Sequence, residues 1–276
     1  MNTETQELGL AQLSLLNCTP ADLLYLAADT GFDFIGARVR PVTAEEKPYN
    51  LQPGSPLLAQ TLAAVKNTGL RIHDIEFILL DGGDQREHWL PMLDAGGALN
   101  ARTLTVAASD RNLDRLGENL ARLTEDAKNF GIMPTLEVIS YQSVNSLELA
   151  AELAQGTGCQ IVADTLHLSR IQASPAQLAA HAEHVAMLQL CDASARRPET
   201  REQLVFESRS ERMVPGQGAA HLAEFVAALP AQVPLSVETP SDSTVARLGA
   251  RRWAEELKAG AEQVLIQART LRAAAV

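Results

Sequence analysis

A chain of 276 residues, 46% of them hydrophobic and 21% charged, is long enough for one large domain or two small ones. Its net charge of −11 disfavours a nucleic-acid partner, because non-specific binding to a phosphate backbone rests on Lys and Arg. Three widely spaced cysteines without a CxxC pair read as reduced thiols, and MNTETQELGL has neither part of a secretory leader. No apolar run approaches membrane-span length, so a soluble cytoplasmic protein with no membrane partner is expected.

In chain order, apolar runs of strand character alternate with amphipathic helical stretches. Strands are expected at 8–16, 33–39, 71–79, 102–108, 134–140, 160–166, 185–191 and 234–239. Thr19-Pro20, Ser55-Pro56 and Ser174-Pro175 each place a capping hydroxyl before a proline at the first helical position. Asp22 follows Thr19 at the spacing of a capping box. Gly31, Gly69, Gly131 and Gly158 stand where a helix must turn left-handed into the next strand. Within 112–130, Leu113, Leu116, Leu120, Leu123 and Ala127 mark one apolar face.

Eight strand–helix units predict an α/β fold, a single (β/α)8 TIM barrel spanning 1–276. An open doubly wound sheet is the rival, but the glycine-rich fingerprint after its first strand is missing. The polar stretch 192–219 reads as a long loop over the catalytic end, and 244–272 as the closing helix.

Four polar residues stand at the ends of apolar strands: Glu137 in TLEVIS, Asp164 in IVADTLH, Gln189 in AMLQLCDA and Glu238 in PLSVETP. A closed parallel barrel brings such strand ends to one mouth, where three carboxylates and an amide oxygen describe a site for one divalent metal ion. His167 stands just past Asp164, and Asp192 either orients a ligand or caps the next loop. Arg212 is the arginine expected to reach a substrate oxygen, ahead of Gly216-Gln217-Gly218, whose Gly-x-Gly spacing is weak evidence of a phosphate cradle. Arg38 and Glu76 also close strands and are candidate substrate-binding wall residues, whereas His73 reads as a core histidine.

The ordered set of Glu, Asp-x-x-His, ligand plus Asp, Arg-x-x-Pro-Gly-x-Gly and final Glu resembles the xylose-isomerase-like TIM barrels. That group is also described as sugar phosphate isomerases/epimerases, is AP endonuclease family 2-like, and is related to endonuclease IV. The resemblance implies metal ligation by Glu137, Asp164, Gln189 and Glu238. It departs at Gln189, where most isomerases and epimerases show His and some 3-dehydroshikimate dehydratase-like members show Gln. An all-oxygen set shifts preference toward Mn²⁺ or Mg²⁺. DNA cleavage is a poor match, since the His-rich cluster and the basic face are missing.

The resemblance implies an isomerase or epimerase acting on a ketose or related hydroxy-ketone by α-proton transfer through a metal-stabilised enediolate. Glu137 and Glu238 are then the catalytic base and acid, and His167, Arg212, Glu76 and Arg38 hold a polyhydroxy ketone substrate. Alternatives are a dehydratase (lyase) of the 3-dehydroshikimate or inosose type and a non-catalytic sugar-binding barrel. A homo-oligomer is compatible with all three.

Overall fold

In the computed structural model, residues 6–44 and 46–274 are described, so the first five residues of the stretch read for a leader lie outside them. Eight parallel strands close into one barrel in sequential order. They are β1 (Leu8–Leu10), β2 (Phe34–Arg38), β3 (Arg71–Leu80), β4 (Thr103–Ala108), β5 (Met133–Glu137), β6 (Gln160–Asp164), β7 (Val185–Leu190) and β8 (Leu235–Val237). The early helices are α1 (Pro20–Thr30), α2 (Pro56–Thr68), α3 (Arg86–Ala98), α4 (Leu113–Lys128) and α5 (Leu147–Thr157). They are followed by α6 (Thr165–Arg170), α7 (Pro175–Ala180), α8 (Arg201–Ser210), α9 (Leu222–Ala228), α10 (Asp242–Leu248) and α11 (Ala250–Ala274).

The local signals act as their chemistry requires. Thr19, Ser55 and Ser174 accept a backbone N–H from the first turn of α1, α2 and α7, and each helix begins on proline. Gly31, Gly69, Gly131 and Gly158 all take positive φ, which side chains disfavour.

Four expectations change. The first strand ends at Leu10, and residues 12–15 form a 3₁₀ turn that sends Gln12 back to the Arg38 backbone N–H. Leu113 heads α4 and is 43% exposed, because the apolar stripe starts only at Leu116. Inside the polar 192–219 stretch lies α8, begun by a capping box between Thr200 and Gln203. The closing segment is two helices, divided at Gly249 with φ 78°.

The barrel interior is layered. At the bottom, Phe34, Val162 and Met187 form a small apolar plug separate from the main core between strands and helices. Phe34 fills the space over Gly9, where a Cβ would stand 2.0 Å from its ring. Buried higher up are Asp74, Glu76, Thr103, Thr105, Thr135 and Ser236 in place of the branched apolar residues common in such barrels. The site lies above them at the C-terminal ends of the strands.

Candidate active site

Strand register assembles the first part of the site. Asp164 pairs with Gln189, so β6 and β7 end their inner faces on neighbouring polar residues, and Gln189 pairs with Ser236, two residues short of Glu238. Glu137 ends β5 and Glu238 directly follows β8. All four predicted ligands are buried: Glu137 is 8% exposed, Asp164 0%, Gln189 1% and Glu238 5%.

Their contacts form one network. Gln189 Nε2 donates to Glu238 Oε1 at 2.7 Å, which leaves the buried Gln189 Oε1 without a partner. Asp164 also caps α6, accepting the Leu166 and His167 N–H groups at 2.7 and 3.3 Å. That capped turn carries the His167 side chain inward, where Nε2 lies 3.7 Å from Glu137 Oε1 and Nδ1 lies 3.2 Å from Ser140 Oγ. One ligand atom from each of Glu137, Asp164 and His167 lies within 4.8 Å of the others. His167 is therefore not at the surface, and it joins the predicted ligands more closely than the sequence indicated.

Arg212 is likewise no free arm of an exposed loop. Its Nη1 donates to Asp164 Oδ2 at 2.6 Å and to the Glu238 carbonyl at 2.9 Å, while Nη2 meets Glu238 Oε2 at 3.0 Å. Nε donates to the Ser208 carbonyl at 2.7 Å, so the end of α8 is stitched to the same group. Arg212 still lines the cavity, but its first partners are the Asp164 and Glu238 carboxylates.

The Gly-x-Gly loop serves an internal anion instead of a phosphate. Asp192 Oδ2 accepts the Gly216 and Gly218 N–H groups at 3.0 and 2.9 Å, and Oδ1 accepts those of Ala193 and Ala220 at 2.9 and 3.0 Å. A Cβ at position 218 would stand 2.4 Å from Asp192 Oδ1, which explains glycine there. The carboxylate thus fills the nest that a phosphate would need.

A cavity of about 310 Å³ opens onto this network, and Arg38, Glu76, Glu137, His167, Arg212 and Glu238 all line it. Arg38 Nη2 lies 3.3 Å from Glu76 Oε2, and Nε lies 3.9 Å from Glu46 Oε2. Thr105, Tyr141 and Ser208 also line the cavity, and the Tyr141 and Ser208 hydroxyls pair at 2.8 Å. The sequence reading missed these three; the available signal was the aromatic placed four residues past the end of β5.

Burial and crowding set the protonation states. Burial pushes Glu238 up to about 8 against the pull of Arg212, and burial together with Glu238 and Asp164 raises Glu137. Asp164 is opposed by burial, yet the Arg212 charge and its hydrogen bond hold it below its ordinary value. Burial drops His167 to about 4, so it is a neutral imidazole near pH 7. Three crowded carboxylates beside one guanidinium, with an unpartnered amide oxygen and a neutral imidazole, fit a divalent cation.

A family profile described as "Xylose isomerase-like TIM barrel" matches residues 24–265. Solved structures of the same fold include the IOLI protein with a bound zinc atom, at 18% identity and TM-score 0.74, over 94% of this chain and 98% of that one. D-allulose 3-epimerase from Methylomonas sp. aligns at 17% identity and TM-score 0.69, over 95% and 97% of the two chains. The probable 3-DHS dehydratase AsbF from Bacillus anthracis aligns at 14% identity and TM-score 0.72, over 94% and 98%. This chain also spans 44% of the length of a xylose isomerase-like TIM barrel/4-hydroxyphenylpyruvate dioxygenase fusion protein, with 96% of its own length aligned at 20% identity and TM-score 0.81. No curated protein sequence matches it.

Proposed function

This chain belongs to the xylose isomerase-like TIM barrel family, and we propose that it is a divalent-metal-dependent isomerase or epimerase of a hydroxy-ketone, moving the proton on the carbon beside the carbonyl. The observation that carries this reading is the convergence of Glu137 and Glu238 on one cavity, with Arg212 joining Glu238 to the buried Asp164 behind it. Glu137, Asp164, Gln189 and Glu238 would hold the ion, with His167 beside them, and the all-oxygen set favours Mn²⁺ or Mg²⁺. When bound, the ion polarises a substrate carbonyl and offsets developing negative charge.

The chain's own residues supply the rest. Glu137 is the base: its carboxyl faces the cavity, and burial raises its proton affinity, which favours proton uptake. Glu238 is its counterpart, held at Oε1 by Gln189 and at Oε2 by Arg212. Arg38, whose Nε has no hydrogen-bond partner, and His167 would take peripheral hydroxyls, and the one remaining Nη2 N–H of Arg212 would orient the reacting end. Return of the proton to the opposite face gives an epimer, and return to the neighbouring carbon gives an aldose–ketose pair.

Gln189 favours a second reading, a dehydratase in which a β-hydroxyl leaves after the same proton abstraction. Incubation of chelator-treated, Mn²⁺-reloaded protein with ketoses, inososes and dehydroshikimate in D₂O separates the two. Solvent deuterium at an α-carbon supports proton transfer, and new conjugated absorbance supports the lyase. Neither signal from any compound would overturn both readings. Glu137→Gln should lower exchange roughly 10²–10⁴-fold with the fold intact.

A further inference from the structure

Beneath the ligand layer, two carboxylates have no account in the proposed reaction. Asp74 is fully buried, and neither of its oxygens has a hydrogen-bond partner. Glu76, two residues along the same inward face of β3, gives Oε2 to Arg38 and leaves Oε1 unpartnered and buried. Both look toward the inner face of Gly36, where the β2–β3 register slips. A Cβ there would stand 2.7 and 2.9 Å from the two Asp74 oxygens and 3.0 Å from Glu76 Oε1. Three acceptors therefore crowd around one point with no donor among them. The Thr103 and Thr105 hydroxyls on neighbouring β4 are also buried and unpartnered.

Charge balance indicates what completes the set. Among the described residues, the barrel interior holds Asp74, Glu76, Glu137, Asp164 and Glu238 against Arg38 and Arg212. When a dication holds Glu137, Asp164 and Glu238 in their ionised forms, the five carboxylates exceed the two arginines and the ion by one negative charge. A single excess charge in a dry interior is removed by one proton or one monovalent cation. Two adjacent carboxyls with free oxygens suit the proton, because one O–H joins them as donor and acceptor. The charged groups facing the pair are Arg38 and Glu46 from β2 and its following loop, Glu137, Arg212 and Glu238. Burial outweighs the arginines among them and pushes both Asp74 and Glu76 up to about 7.

We propose that Asp74 and Glu76 share one proton and that Glu76, which lines the cavity, is a further catalytic acid, with Asp74 the positioning residue that keeps it protonated. The catalytic part rests on the proton-transfer reading above. In that step the Glu76 O–H bond breaks and an O–H bond forms on the substrate, as the base takes the α-proton. That half-reaction leaves a neutral enediol, with one proton moved from Glu76 to the substrate oxygen and one from carbon to Glu137. In the second half an enediol O–H returns its proton to Glu76 as a carboxyl of Glu137 or Glu238 gives a proton to carbon, so the Asp74–Glu76 pair ends as it began.

The test reads the carboxylic C=O stretch by infrared difference spectroscopy in H₂O and D₂O, on full-length Mg²⁺-loaded protein without substrate. Near neutral pH, one protonated-carboxyl band is expected in the wild type, lost in Asp74→Asn. Glu76→Gln should lose it too, which keeps the test available if Asp74→Asn does not fold. Absence of the band from the wild type overturns the proposal. So does a saturable rise in melting temperature with K⁺ or Na⁺ that Asp74→Asn abolishes, which would assign the space to a cation. If the band is present but no hydroxy-ketone exchanges deuterium, the shared proton stands and the role of Glu76 falls with the functional reading. If exchange occurs without the band, the functional reading stands and the pair falls.

Discussion

Asp192→Asn is the sharpest probe of how the loop after β7 is held. Each Asp192 oxygen accepts two backbone N–H groups, so neither orientation of an asparagine amide can satisfy all four. Whichever way the amide turns, its NH₂ faces two donors. Two bonds to a charged acceptor are lost at roughly 1.5–3 kcal/mol each, so destabilisation of about 3–6 kcal/mol is expected. That is a large share of a domain's total of about 5–15 kcal/mol. The damage should reach the site, because Asp192 and Met213 exchange two backbone hydrogen bonds of 2.9 Å and Arg212 is the next residue. Urea unfolding with an unchanged slope measures the first effect, and Mn²⁺ affinity by calorimetry the second. A loss below about 1 kcal/mol, on the scale of one ordinary hydrogen bond, would show that the carboxylate does not hold the loop.

Metal-free protein should lose stability as pH rises from 4.5 through about 8. Glu238 is raised across that window, so the folded chain binds more protons there than the unfolded one, and Asp74 and Glu76, raised to about 7, act in the same direction. Thermal melts of chelator-treated protein across the window check the sign, and a steady rise would contradict it. Gly36→Ala should cost about 1–3 kcal/mol by overpacking, because its Cβ meets the Asp74 and Glu76 oxygens, and an unchanged melting curve would mean the two carboxylates have room to move. Gln189→Glu replaces a 2.7 Å hydrogen bond with a clash of like charges once Glu238 ionises, so above about pH 8 the metal-free variant should melt lower and Mn²⁺ should restore more stability than in the wild type. Equal metal-induced shifts would place the position 189 side chain outside the ligand set.

The barrel was legible because its signals are local and periodic. Every expected strand overlaps an observed one, and the glycine stops and Ser/Thr-Pro starts fall where backbone chemistry puts them. Convergence of Glu137, Asp164, Gln189 and Glu238 followed from one rule, that parallel strand ends share a mouth. What the sequence hid depends on side-chain direction and long-range partners. Arg212 sits in a charge-dense run that reads as solvated, and the antiparallel bridges Asp192–Met213 and Glu211–Ser241 on either side turn it inward. His167 looks like a loop residue until Asp164 caps α6 and points that turn at Glu137. Asp74 lies within RIHDIEFIL, where neither of the two acids gives a sign that Gly36 across the ladder leaves Asp74 space.

Placement of Arg212 explains why this mouth tolerates three carboxylates at all. Breaking a buried ion pair by removing one partner costs several kcal/mol, so Asp164 and Glu238 depend on a cation that cannot drift away. A long arginine on a free loop would not meet that need. Here Asp192 grips the Gly216–Gly218 turn on one side and α8 ends at Ser208–Ser210 on the other, and the guanidinium is fixed from both. Further out, α8 is tied to α6 by the Arg170–Glu207 ion pair. The guanidinium offsets one negative charge and leaves two on the three carboxylates, a deficit that one dication removes. Position 189 obeys the same arithmetic: an amide there would offer an ion an oxygen without a further charge, while its Nε2 steadies Glu238.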